Sequence, residues 1–268
     1  MEGLGGLPQH LQLKVLSMLD DGAFDKAVQG VGPSRGLPVR APDTTFLHRV
    51  DIPFSAKRAV DEIKARGVAV FDNVMGAHVA VAARSGAEGV SRCGLMRRAR
   101  MGKDSTQWAD SRARGDEMIW FNDLVQASAE GSSSPDGSGD TDIDTDPAAD
   151  AGAASSIKDV AAAVEQLTAI GAEVSNAIGG HFECQRMTFQ LARYADGARY
   201  VRHSDVGPQT PNRRLTCIFY LNPDWKREDG GELRLYLEPP GGRSSQSQPS
   251  ACDVAPLMNR LIIFRSEV

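Results

Sequence analysis

The spacing of hydrophobic positions changes partway along this chain. Val160, Val164, Leu167, Val174 and Ile178 recur at three-, four- and seven-residue steps, which predicts an amphipathic helix opening at Ser156, with Gly179 and Gly180 as its stop. Earlier, Ser55 stands where an N-cap belongs, ahead of a helix running through Arg66 with Gly67 as its terminator. The run Val68-Ala69-Val70-Phe71 that follows reads as a strand. From Arg186 the period shortens to that of strands: Met187 to Tyr194, Tyr200 to His203, Leu215 to Leu221, Glu232 to Leu237 and Leu261 to Phe264. Helices first and short strands after them predict an α+β fold, with supporting helices packed on a double-sheet jelly roll.

Two segments depart from this pattern. Residues 128–155 are rich in Ser, Gly, Asp, Ala and Pro and nearly empty of large apolar side chains, so they cannot offset their own ordering entropy and read as a disordered acidic insertion. Asp142, Asp144 and Asp146 imitate the start of a calcium loop, but Pro147 and Ala153 stand where Gly and Glu are required. Residues 1–50 read as a partly disordered N-terminal extension to a domain spanning 51–268. Within the extension, Leu7-Pro8 with Leu11, Val15, Leu16 and Leu19 has the outline of an amphipathic helix, faintly like the opening of an F-box. That outline keeps open a second reading, a non-catalytic adaptor that docks a ubiquitin-ligase scaffold.

Composition narrows the choice of function. With 41% hydrophobic residues in 268, the chain can bury one sizeable core. The formal charge of −5 comes from the insertion, where seven acidic residues and no basic one lie between Ala129 and Ser155. Without them the remainder carries +2, which gives no electrostatic footprint for a nucleic-acid partner. The sequence shows neither a membrane-length apolar run nor a leader, and Cys93, Cys184, Cys217 and Cys252 lack metal-finger or disulfide spacing. The expectation is a soluble cytoplasmic or nuclear monomer.

The chemistry concentrates at Tyr200-Val201-Arg202-His203-Ser204-Asp205. At period two, His203 and Asp205 point to one side, so an imidazole and a carboxylate can converge on one ion. Two histidines and a carboxylate around Fe(II), with the other positions open, is the arrangement of non-haem oxygenases. A lone His-x-Asp is weak, and a surface histidine beside a turn aspartate is its ordinary explanation.

Other blocks agree with the metal reading. They are Thr216-Cys217-Ile218-Phe219-Tyr220-Leu221-Asn222, Trp225, Gly230-Gly231-Glu232-Leu233-Arg234 and Arg260-Leu261-Ile262-Ile263-Phe264, with Arg114-Gly115-Asp116 and Trp120 upstream. In this order they resemble the prolyl 4-hydroxylases, and most closely the hypoxia-inducible-factor prolyl hydroxylases, over roughly Phe54 to Val268. The resemblance implies a double-stranded β-helix and a dioxygenase that uses Fe(II), 2-oxoglutarate and O2, with ascorbate keeping the iron reduced. The implied substrate is a prolyl residue of a protein. It implies His203 and Asp205 as metal ligands, Tyr194 and Tyr220 as donors to 2-oxoglutarate, and Ile218 and Leu233 as walls of its pocket. On the substrate side it implies Tyr200, Arg114, Asp116 and Arg213, with Arg213 a partner for Asp116 and Met101 to Arg112 a loop that closes over the substrate. The family's third ligand is a histidine shortly after the strand matched by Leu261 to Phe264, and a basic residue beyond it grips the distal carboxylate. No histidine follows that strand before Val268. The expectation is therefore a C-terminally incomplete domain, truncated and turning over little or no 2-oxoglutarate.

Overall fold

A computed structural model of the chain describes residues 10–18, 43–50, 52–101, 109–129, 147–178, 186–206, 213–237 and 250–266. The strands are β1 (His10–Met18), β2 (Asp43–Phe46), β3 (Val68–Asp72), β4 (Arg97–Arg98), β5 (Glu117–Trp120), β6 (Arg186–Tyr194), β7 (Arg213–Tyr220), β8 (Leu233–Leu237), β9 (Ser250–Val254) and β10 (Arg260–Arg265). The helices are α1 (Ala56–Arg66), α2 (Ala77–Arg92), α3 (Phe121–Ala129) and α4 (Pro147–Ile178). A seven-stranded sheet has the order β3-β10-β7-β1-β6-β5-β4, and a three-stranded sheet the order β2-β9-β8. All pairings are antiparallel except β2 with β9.

The large sheet separates two cores. Alternate residues of its central strands, Ala69 and Phe71, Leu215 and Phe219, Leu261 and Ile263, share one cluster with the apolar stripes of α1, α2 and α4. The intervening residues, Val68 and Val70, Ile218 and Tyr220, Ile262 and Phe264, pack with Leu235, Leu237, Cys252 and Val254 of the small sheet. Period-two alternation thus sends each strand into both cores. It also explains why every residue of β10 is buried, since a strand covered on both faces has no polar side to show.

Several helix expectations stand. The Ser55 hydroxyl accepts from the Arg58 N–H, and Gly67 closes α1 in the left-handed conformation at φ 79°, which a residue without Cβ adopts at little cost. Val160, Val164, Leu167, Val174 and Ile178 are buried on α4. That helix begins at Pro147, inside the segment read as disordered. Pro147 fits a first turn, where its missing N–H costs nothing, and the alanines after it favour helix, so the helical core propagates backward beyond its apolar stripe. The calcium-like Asp142, Asp144 and Asp146 lie outside the described residues.

Two further expectations are corrected. Tyr200 to His203 is not a strand: Tyr200 makes one isolated bridge with Arg114, and the chain then turns. The F-box-like helix is instead β1, which lies between β6 and β7 and pairs with both. Leu11, Leu13 and Val15 alternate with Gln12 and Lys14, a strand period that the helical reading passed over, and two flanking strands satisfy both of its hydrogen-bonding edges. With β2 in the small sheet, the first 50 residues contribute to both sheets.

Candidate active site

A cavity of about 660 Å³ lies against the face of β7 that looks toward the small sheet. Tyr194 enters from the end of β6, Ile218 and Tyr220 from β7, and Leu233 from β8, while the turn from Tyr200 through His203 to Asp205 forms part of the wall. Every residue expected at the metal or the cosubstrate, and Tyr200 from the substrate side, lines this one space. Ile218 and Tyr220 are two apart on β7, so the strand period alone sends both inward.

His203 and Asp205 converge. The imidazole Nδ1 lies 2.8 Å from the Val201 carbonyl oxygen; a carbonyl can only accept, so Nδ1 carries the hydrogen and Nε2 is the lone-pair nitrogen of the neutral ring. Nε2 faces Asp205 Oδ1 at 3.4 Å. Two acceptors turned toward each other need a proton or a cation between them. Two bonds of about 2.1 Å at right angles put donor atoms about 3.0 Å apart, so this pair fits adjacent ligands of one divalent ion. No group of three or more His, Cys, Asp or Glu that could hold a metal occurs among the described residues.

A stacked column supports the histidine. The Tyr200 ring lies against the His203 ring at 3.6 Å between centroids and 17° between planes, and the Arg114 guanidinium sits over the Tyr200 ring at 4.6 Å. Arg114 in turn donates from Nε and Nη2 to Asp116 at 2.8 and 2.9 Å. Burial opposes the Arg114 charge, but its bonds to the fully buried Asp116 outweigh that and raise its pKa. Arg114, Asp116 and Arg213 do not border the cavity. The expected Arg213–Asp116 ion pair is replaced: Asp116 takes Arg114, its neighbour two residues away, and Arg213 donates to the Asp205 carbonyl oxygen at 3.0 Å. Most of the loop at 101–112 lies outside the described residues.

The electrostatics suit neutral phenols. Burial is the largest influence on Tyr194 and Tyr220 and drives their pKa well above the ordinary 10.0, so each stays a hydrogen-bond donor. Tyr200 shifts the same way for the same leading reason. Sequence reasoning missed Thr216, whose Oγ1 donates to Asp205 Oδ2 at 2.8 Å, and Arg202, which lies 4.0 Å over the Tyr236 ring and links the turn to β8. Thr216 had a signal, since it precedes Ile218 and Tyr220 at period two; Arg202 had none.

Comparison with known proteins agrees with this geometry. Residues 189–268 match the family model of the 2OG-Fe(II) oxygenase superfamily. Prolyl hydroxylase EGLN3 of Mus musculus is 36% identical over 92 residues, which are 34% of this chain and 35% of that protein. An uncharacterized PKHD-type hydroxylase of Synechocystis is 33% identical over 86 residues, 32% of this chain and 28% of the relative. The chain thus spans about a third of the length of these curated relatives. Among solved structures, a Trichoplax adhaerens prolyl hydroxylase in complex with a hypoxia inducible factor peptide fragment has a TM-score of 0.54 at 19% identity, covering 79% of this chain and 80% of that one. A Pseudomonas putida prolyl-4-hydroxylase has a TM-score of 0.52 at 20% identity, covering 79% and 87%. The cavity with its facing histidine and aspartate thus lies largely in residues 189–268, the part of the chain that is similar to the 2OG-Fe(II) oxygenase superfamily.

Proposed function

We propose that this chain is the core of an Fe(II)- and 2-oxoglutarate-dependent dioxygenase that hydroxylates a prolyl residue of a protein substrate, on a double-stranded β-helix scaffold. The observation that carries the reading is the approach of His203 Nε2 to Asp205 Oδ1 at 3.4 Å on the wall of a cavity that also holds Tyr194 and Tyr220. Fe(II) with bound 2-oxoglutarate would supply the oxidising chemistry, and ascorbate would keep the iron reduced.

The protein's own residues do the rest. His203 and Asp205 would hold the ion. Tyr194 and Tyr220, which line the cavity, would donate to the cosubstrate carboxylate without adding charge to a buried site. Ile218 and Leu233 exclude water around it. The column of Arg114, Tyr200 and His203 fixes the imidazole plane. Prolyl peptides are favoured as substrates by the likeness to prolyl hydroxylase EGLN3.

Anaerobic titration with Fe(II) of the wild-type chain and Asp205→Ala tests the metal site. Loss of the one carboxylate ligand should weaken binding at least tenfold, and equal affinity of the two proteins would overturn the assignment. The reaction class is checked by following 2-oxoglutarate, succinate and peptide mass together. Whatever succinate forms should be matched by an equal amount of hydroxyproline, and succinate without hydroxyproline would overturn the prolyl assignment.

A further inference from the structure

The Asp205 carboxylate is held by more than its own turn. Thr216 is fully buried on β7, and Ser266, immediately after β10, is equally buried. Thr216 spends its single hydroxyl proton on Asp205 Oδ2 at 2.8 Å. Its oxygen lies 2.9 Å from Ser266 Oγ, so the Ser266 hydroxyl must be the donor of that second bond. The result is a directed chain from Ser266 to Thr216 to Asp205.

The backbone of Ser266 is committed to the same turn. Its N–H donates to the Arg214 carbonyl at 3.0 Å. Its carbonyl accepts from the Asp205 N–H at 2.9 Å and from Ser204 Oγ at 3.2 Å. The ends of β7 and β10 therefore clamp the segment that carries both His203 and Asp205.

We infer that Thr216 and Ser266 are positioning residues for the metal site: they tie down Asp205 Oδ2 and so present Oδ1 alone to an ion shared with His203 Nε2. This rests on reading His203 and Asp205 as metal ligands. Its physical basis is that a carboxylate with both oxygens unrestrained can rotate about its terminal torsion. A buried neutral donor on one oxygen removes that freedom and fixes one-oxygen ligation before the ion arrives.

The variant Thr216→Val keeps the shape of the side chain and deletes the donor, whereas Thr216→Ser keeps the donor. Anaerobic calorimetric titration with Fe(II), and the d–d absorption spectrum of the Co(II)-loaded chain, are read for wild type, Asp205→Ala and both Thr216 variants, with thermal melts alongside. Thr216→Val should bind about 10–100-fold more weakly than wild type and show an altered Co(II) spectrum. Thr216→Ser should restore both. Wild-type affinity and spectrum in a folded Thr216→Val would overturn the positioning role while leaving the ligands in place. Equal metal binding by wild type and Asp205→Ala would overturn the ligand assignment, and the positioning role with it. Should Thr216→Val fail to fold, Ser266→Ala puts the same question: it spares the Thr216 donor but removes the bond that orients it. A several-fold weaker affinity supports the chain of hydrogen bonds, and unchanged affinity overturns it.

Discussion

Arg260 and Asp72 show how costly a buried charge becomes once its partner is removed. Both side chains are essentially inaccessible, with Nε and Nη2 of Arg260 reaching the two carboxylate oxygens at 2.7 and 2.8 Å. The guanidinium also donates to the carbonyls of Phe46, Ala255 and His48, which joins β10 to β3 and to the segment around β2. Asp72→Ala leaves the cation buried without its counter-charge and should cost about 3–5 kcal/mol in urea unfolding. The double variant Asp72→Leu with Arg260→Met should lose less, because it removes both desolvated charges. A second prediction at this scale concerns the phenols. Tyr194 and Tyr220 have folded pKa values raised above 10.0 by burial, so between pH 10 and the folded pKa the unfolded chain binds fewer protons than the native one. Stability is therefore insensitive to these groups below pH 10 and falls as pH rises above it. Phenolate absorbance from these two should appear only as the chain unfolds.

At the scale of elements, Gly86 and Gly89 of α2 lie against α4 with no room for a side chain. A Cβ on Gly86 would run into the Ser156 carbonyl oxygen and the Asp159 side chain, and one on Gly89 would clash only with the Ser156 side chain. A backbone oxygen inside a helix cannot swing away; at Gly89 the Ser156 hydroxyl can change rotamer, but the Ser156 Cβ, 2.8 Å from the added carbon, moves only with its helix. Gly86→Ala should therefore destabilise by about 1–3 kcal/mol despite the better helix propensity of alanine. Gly89→Ala should also destabilise, and denaturant curves of the two variants would measure both costs. Helix α4 was visible in the sequence because its stripe keeps one period over five positions. Helix α2 was not, since its buried residues are mostly Ala and Gly, and small side chains leave a weak hydrophobic signal. Strand β9 escaped for a similar reason: Ser-Ala-Cys-Asp-Val has too little bulk to stand out.

For the molecule as a whole, the amino-terminal strand is the decisive contact. Strand β1 pairs with β6 along its full length and with β7 along most of it, and these two strands are neighbours only through it. Deleting residues 1–18 should leave facing edges of β6 and β7 without partners, lower the thermal midpoint and raise amide exchange at 186–194 and 213–220. Deleting 130–146, which is acidic and poor in large apolar residues, should shift the midpoint little, because loop closure entropy changes only slowly with length. Similar melting of the 1–18 deletion and wild type would show that β1 contributes no stability.

The sequence by itself determined what depends on neighbours along the chain. It specified the capped helix α1, the stripe of α4, the strands β6, β7, β8 and β10 within one or two residues, and the inward set Ile218 and Tyr220. Periodicity and capping are local, so they survive without knowledge of the fold. It also specified the residue types at 203 and 205 that can meet a metal. Only the tertiary structure decided what those residues face: that Asp116 belongs to Arg114 and not to Arg213, that Thr216 and Ser266 grip Asp205, and that residues 10–18 lie in the middle of a sheet. Each of these requires groups far apart in sequence, or an orientation that a turn imposes. A hydrogen bond has no sequence period, and a strand's partner is chosen by whichever edges the rest of the fold leaves unsatisfied.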